Sequence, residues 1–277
     1  ACALVGVGTA VWTQGGVRAL DLILALVGAI VAHISVNALN EYYDFKSGLD
    51  SRTVRTPFSG GSGTLQARPE MAKAGLIIGL VSLAVTALIG LYFLSQRGWG
   101  LLPIGIIGIL VIVAYTPLIT RSPILCLISP GLGFGPLMVM GTHFCLTGEY
   151  TWTAFIASLV PFFLVNDLLL LNQFPDTQAD ETVGRRHLPI SAGKRTSSIV
   201  YGLFLLGTYL SILVGVGLQL LPLWALLGLV TLLLAVPVAI GVYRNAESGE
   251  GLVPFMGQNV ILNIATPVLL AIGLFIA

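Results

Sequence analysis

LDLILALVGAIVAHISVNALNEYYDFKSGLD, residues 20–50, decides the fold. It opens as an apolar run long enough for a membrane helix, which takes about 20 residues. It ends in Asn37, Asn40, Glu41, Asp44 and Asp50, the kind of side chain a membrane segment tolerates least. Similar apolar runs recur along all 277 residues; 56% of the chain is hydrophobic and 9% charged. Soluble domains carry about 25% charged residues, and the mean hydropathy here is +0.96. The chain therefore reads as an all-α polytopic membrane protein. A β-barrel would alternate in segments of about ten residues, and no such pattern is present. The net charge of +1 gives no basis for a nucleic-acid partner, and none is expected. Cys2, Cys126 and Cys145 lie scattered in apolar segments without metal or disulfide spacing and read as small core residues. The chain starts inside an apolar run without Met or a signal peptide, so a truncated N-terminus is expected.

Nine transmembrane helices are expected around a central cavity, over roughly residues 1–13, 20–40, 72–95, 99–117, 123–146, 153–174, 197–218, 222–243 and 253–276. They form a single domain over residues 1–277. With that parity, eleven of the 13 Lys and Arg residues fall in loops on one face, and only Arg18 and Arg97 on the other. The positive-inside rule makes the eleven-cation face cytoplasmic. Two acidic clusters share that face. Glu41, Asp44 and Asp50 follow the second helix, and Asp176, Asp180 and Glu181 follow the sixth.

The second cluster lies in NQFPDTQADETVGRRHLP, residues 172–189. Both stretches contain Asn-x-x-x-Asp: Asn40 with Asp44, and Asn172 with Asp176. Another aspartate follows each pair, Asp50 or Asp180, and then basic residues. The motifs stand 132 positions apart, about half the chain, which suggests two pseudo-repeated halves facing one cavity. Residues four apart share a helix face. Asn40 and Asp44 should project together, as should Asn172, Asp176 and Asp180. Gly48 should end the second helix, and Pro175 should bend or interrupt the sixth just before Asp176. Oxygen-only donors without His or Cys favour Mg²⁺, which keeps waters and shares its shell with substrate phosphates. Paired carboxylates beside Arg and Lys thus point to a metal-bridged diphosphate. Solvated helix caps with local salt bridges are the plainer reading, and the duplication weighs against it.

Both motifs resemble the aspartate-rich motifs of the UbiA superfamily of intramembrane prenyltransferases, over essentially the whole chain. Their spelling is most similar to the 1,4-dihydroxy-2-naphthoate prenyltransferase branch of menaquinone synthesis, with Glu41 in place of that branch's usual Asp. In place of the Arg-Pro-x-Pro-Ser-Gly run of the 4-hydroxybenzoate branch, this chain has RTPFSGGSGTL at residues 55–65. The resemblance implies transfer of a polyprenyl group from an allylic diphosphate to an aromatic acceptor in the bilayer. It implies two Mg²⁺ ions, with Asn40, Asp44, Asp50, Asn172, Asp176 and Asp180 as ligands. Lys46, Arg52, Arg55, Arg185, Arg186 and Lys194 would share the diphosphate charge. Tyr115, Tyr42, Tyr43, Phe45 and Phe174 are candidates to offer π-faces to the allyl cation, and a motif carboxylate would take the acceptor's proton.

Other features are less directive. Residues 59–63, SGGSG, fit a phosphate nest, a lid or a simple turn. GLGFGPLMVMG, residues 131–141, lacks the strand context of a dinucleotide site and reads as close helix packing. His33 and His143 read as packing residues, and for His187, just after the Arg pair, a diphosphate contact is the lesser reading. Asp167, inside a span, invites a functional role but lies about 13 Å deeper than Asp176 if the helix is continuous. A UbiA-type terpene cyclase would use the same cation without an aromatic acceptor. An ion-coupled transporter would place its carboxylates at the bilayer midplane, not at one face.

Overall fold

The computed structural model describes residues 1–49, 52, 53 and 55–277. Among these residues twelve α-helices follow one another: α1 (Cys2–Gln14), α2 (Ala19–Ser47), α3 (Thr64–Ala67), α4 (Ala72–Arg97), α5 (Leu102–Ala114), α6 (Pro123–Leu132), α7 (Gly141–Thr147), α8 (Trp152–Thr182), α9 (Leu188–Ala192), α10 (Lys194–Gly217), α11 (Leu232–Arg244) and α12 (Gly249–Phe275). A π-helical segment, Gly133–Met140, joins α6 to α7, and a 3₁₀ stretch, Leu223–Thr231, leads into α11. No strand is present among the described residues.

Among the described residues, seven segments are long and apolar enough to cross a membrane: Ala19–Ser47, Pro69–Arg97, Pro123–Thr147, Trp152–Thr182, Lys194–Gly217, Leu223–Arg244 and Glu250–Phe275. Two shorter apolar helices, Cys2–Gln14 and Trp99–Ala114, occupy the other two expected positions. The helices have inverted exteriors for a protein. Ile77, Leu110 and Leu233 are 59%, 60% and 82% exposed, as suits contact with hydrocarbon.

The two motif-bearing helices are longer than the apolar runs that contain them. α2 continues past Asn40 to Ser47 and stops at Gly48, whose φ of 73° lets its N–H cap the Asp44 and Phe45 carbonyls. Gly48 thus ends the helix as its position suggests. α8 continues through Pro161 and Pro175 to Thr182, so of the bend or interruption expected at Pro175 the interruption does not occur. A proline removes one N–H, and membrane helices tolerate that loss where neighbours hold the chain. Here Phe174 is fully buried and Asp180 is 3% exposed, so both sides of Pro175 are held.

α8 is the central post. It packs against α6, the π-helical segment, α10 and α12. Leu164, Leu171 and Phe174 of α8 meet Tyr201 and Ile212 of α10 and Leu262 of α12 in one apolar core. Lipid tails are as apolar as leucine, so close backbone approach has to carry much of the packing. Glycine permits it. A Cβ at Gly131 would lie 2.1 Å from the Phe162 carbonyl oxygen, and one at Gly135 would lie 2.6 Å from that of Ser158. The glycine-rich stretch at 131–141 is therefore a packing face.

α2 packs along α4, and a half-buried ion pair locks the end of both helices remote from the acidic motifs. Arg97 donates to Asp21 at 2.9 Å and to the Cys145 and Leu146 carbonyls, while the Tyr92 hydroxyl donates to the other Asp21 oxygen. His143 is likewise satisfied: its two ring nitrogens lie 3.0 and 3.2 Å from the Thr9 and Thr151 hydroxyls. It is a packing residue, as read from the sequence.

Candidate active site

The C-terminal ends of α2 and α8 converge on a polar cavity of about 350 Å³. Asn40 and Asp44 line it from α2, and Asn172, Asp176 and Asp180 line it from α8. The i, i+4 register puts each set on one face, and packing turns those faces toward each other. Asp50 lies outside the described residues. Asn37, Asn40, Tyr115 and Asn172 also line a second, apolar cavity of about 1100 Å³ beneath the first. The two cavities therefore share a wall, with Tyr115 at the C-terminus of α5 standing at the junction.

The polar side chains have definite partners. The Asn40 amide donates to the Thr116 hydroxyl at 3.0 Å, which leaves the Asn40 carbonyl oxygen for another partner. Ser59 and Gly60 line the cavity beside Asp176, whose Oδ1 is buried without a hydrogen bond among the described residues. Arg185 reaches across the cavity. It donates to Asp180 at 3.0 Å and to Asp44, joining side chains 141 positions apart. His187 Nε2 lies 2.9 Å from the second Asp180 oxygen. Burial works against the charge of Arg185, but Asp44 and Asp180 outweigh it and raise its pKa above the ordinary arginine value.

The loop after α2 closes the cavity. Ser59, Gly60, Gly61 and Ser62 line it, and the Ser62 hydroxyl donates to Glu41. Phe58 anchors this loop against α12, where its ring would lie 3.0 Å from a Cβ at Gly257. Glu41, the position that departs from the related motif, thus holds the loop.

Of the six basic residues named from the sequence, Arg185 alone lines the polar cavity. Arg52 donates to Thr182 at 3.0 Å and Arg55 to Gln66 at 2.8 Å, both at the surface. The side chains of Lys46 and Arg186 are exposed, and Lys194 starts α10. Of the five aromatic candidates, only Tyr115 borders either cavity. Phe174 is buried in the core behind α8, because a residue two positions from Asn172 and from Asp176 faces the other way. Asp167 is fully buried, borders neither cavity, and neither carboxylate oxygen has a hydrogen bond among the described residues. Phe58, Thr116 and His187 were not identified as site residues by motif spacing, since each comes from outside the two i, i+4 ladders.

The donor set suits a hard cation in kind: carboxylate and amide oxygens, with the Asp176 Oδ1 unpaired. Yet among the described residues no three His, Cys, Asp or Glu side chains stand in a metal-binding arrangement. A full protein cage is thus not preformed, which matches Mg²⁺ taking part of its shell from water and phosphate.

The sequence model of the UbiA prenyltransferase family matches residues 1–265. The chain belongs to the UbiA prenyltransferase family. It is 32% identical to the 1,4-dihydroxy-2-naphthoate octaprenyltransferase of Bacillus subtilis (strain 168), over 64% of this chain and 57% of that relative. It is 26% identical to the enzyme of the same name from Escherichia coli (strain K12), over 100% of this chain and 91% of that one. The chain thus spans little more than half of the Bacillus relative and most of the Escherichia one. The fold is similar to that of a UbiA homologue from Archaeoglobus fulgidus solved with DMAPP and Mg²⁺, with a TM-score of 0.57 and 14% identity over 98% of this chain and 94% of that one. A structure of digeranylgeranylglyceryl phosphate synthase superposes with a TM-score of 0.65 at 14% identity, covering 100% of this chain and 94% of that one.

Proposed function

We propose that this UbiA-family chain transfers a polyprenyl group from an allylic diphosphate to an aromatic acceptor, as a single nine-span domain, in menaquinone-type quinone synthesis. One observation carries the reading. A polar, carboxylate-lined cavity and a larger apolar cavity share the wall formed by Asn37, Asn40, Tyr115 and Asn172. A prenyl diphosphate has that same division, with a charged head and an apolar tail. The naphthoate acceptor is the one named for the Bacillus and Escherichia relatives. The excess of Lys and Arg in the loops on that side supports a cytoplasmic face for the polar cavity by the positive-inside rule.

Asn40, Asp44, Asn172, Asp176 and Asp180 would hold Mg²⁺, with Asp50 a further ligand. Bound there, Mg²⁺ would neutralise charge on the leaving diphosphate. Arg185 would contribute charge-assisted hydrogen bonds to the same group. The backbone of Gly60 and Gly61 and the Phe58 ring would cover it from above and exclude water. Tyr115, at the junction of the cavities, would present its ring to the allylic carbon as positive charge develops. The apolar chamber would hold the tail and shield the cation from water. A motif carboxylate would accept the proton that the acceptor ring loses.

The test uses purified protein in lipid nanodiscs, a labelled polyprenyl diphosphate, Mg²⁺ and 1,4-dihydroxy-2-naphthoate. Diphosphate release with formation of a prenylated naphthalene product is expected, abolished by EDTA and restored by Mg²⁺. Asp44→Ala and Asp176→Ala should each abolish it. Absence of diphosphate release with this and other aromatic acceptors would sink the proposal. Acceptor-independent release of a hydrocarbon would select a cyclase instead.

A further inference from the structure

A guanidinium stands where the two acidic motifs meet. Arg185 Nη1 donates to Asp180 Oδ1 and Nη2 to Asp44 Oδ1, while His187 occupies Asp180 Oδ2. Both oxygens of Asp180 are therefore engaged inside the protein, and its side chain is 4% exposed. Arg185 is the only Arg or Lys among the described residues lining this cavity. A divalent ion bound by Asp44 and Asp180 would compete with Arg185 for their oxygens, and would sit beside a like charge.

The backbone around Arg185 is anchored while its side chain spans open volume. The Arg185 N–H donates to the Asp180 carbonyl at 3.1 Å, and the Arg186 N–H donates to the Thr120 carbonyl at 2.9 Å. The guanidinium can therefore change partners without moving the chain. A diphosphate would supply a better one. Its oxygens match the planar fork bidentately, and its negative charge would offset the crowding of cations.

We propose that Arg185 is an exchangeable counter-ion that makes metal loading conditional on the donor. In the donor-free state it neutralises Asp44 and Asp180 and competes with the metal. When a prenyl diphosphate enters, the guanidinium transfers to the phosphate oxygens and releases the two carboxylates to the metal. Metal and donor then bind with positive coupling, reciprocal by linkage. The inference rests on the prenyltransferase reading and adds an order to it.

Mn²⁺ binding, followed by electron paramagnetic resonance, tests it without turnover. The probes are Mn²⁺ alone and Mn²⁺ with farnesyl thiolodiphosphate, a donor analogue resistant to ionisation, with protein-free controls for complexation in solution. In the wild type the analogue should raise Mn²⁺ affinity by about tenfold or more, the range of ordinary allosteric coupling. Arg185→Met should bind Mn²⁺ alone more tightly than the wild type, bind the analogue more weakly, and show diminished coupling, the remainder coming from direct metal–phosphate contact. Arg185→Lys retains one cation without the two-armed fork and should fall between them; it carries the same comparison if the Met variant does not fold. Mn²⁺ affinity in the variants equal to or below the wild type, or undiminished coupling, would overturn the counter-ion role. Failure of the wild type to bind either probe would overturn the prenyltransferase reading as well.

Discussion

His187 sets the position of Asp180, and its own place shows how residues outside a motif complete a site. It is 1% exposed and holds the Asp180 oxygen that Arg185 does not. Groups that orient a metal-binding carboxylate typically change affinity or activity by about 10- to 100-fold when removed. His187→Ala is expected to lower kcat/KM in that range and to weaken Mn²⁺ binding in the presence of the donor analogue. His143→Ala should change melting temperature without that effect, because its partners are Thr9 and Thr151, far from the acidic motifs. Equal kinetic effects from both variants would refute a positioning role for His187. Helical spacing makes Asn40, Asp44, Asn172, Asp176 and Asp180 legible as two polar ladders. It also makes the burial of Phe174 legible, since a residue between two ladder positions faces the opposite side. His187 is different: it lies beyond the end of α8, past Gly184 with φ 79°, where no periodicity applies. Only the fold of that turn brings it back to Asp180.

At the scale of elements, the long helices and their order follow from apolar runs and the requirement that backbone groups be satisfied inside a bilayer. The length of α8 does not. Its polar end reads as loop by composition, yet burial of Phe174 and Asp180 on either side of Pro175 keeps the helix going, and this continuity aims Asp176 and Asp180 at α2. The glycines of α6 and the π-helical segment decide how near α8 can come. Gly135→Leu would place a side chain against the Ser158 carbonyl and the Phe162 backbone, where nothing flexible can yield. Overpacking of this kind costs about 1–3 kcal/mol. A lowered melting temperature in detergent is expected, together with reduced transfer, because α8 carries half of the site. Gly202→Leu, in α10 at a position that lines neither cavity and where an added Cβ meets nothing within 4 Å, is the control and should leave both nearly unchanged. Equal destabilisation by the two would show that close approach at Gly135 is not what packs these elements.

Across the whole molecule, the polar cavity fixes where the diphosphate would sit, and the apolar chamber of about 1100 Å³ limits how much chain can follow it. Composition announces the lipid-facing exterior but not this interior volume, which arises from how α2, α4, α5 and the π-helical segment splay. Gly90 and Gly105 line the chamber, and an added Cβ at either meets nothing within 4 Å. A side chain added there therefore starts into open space. Gly105 precedes Tyr115 by ten residues, about 15 Å along a helix, so substitution acts on the tail and leaves the ionising carbon alone. Gly105→Phe is expected to shift donor preference toward shorter prenyl chains, raising KM for long donors while kcat for a short donor such as dimethylallyl diphosphate stays near wild type. Gly90→Phe, on α4, should act in the same direction from the facing side. The measurement is a series of donors of increasing length at fixed acceptor. A uniform fall for all lengths would mean that the chamber is not the tail site, and an unchanged profile would mean that the tail leaves between helices into lipid before reaching this depth.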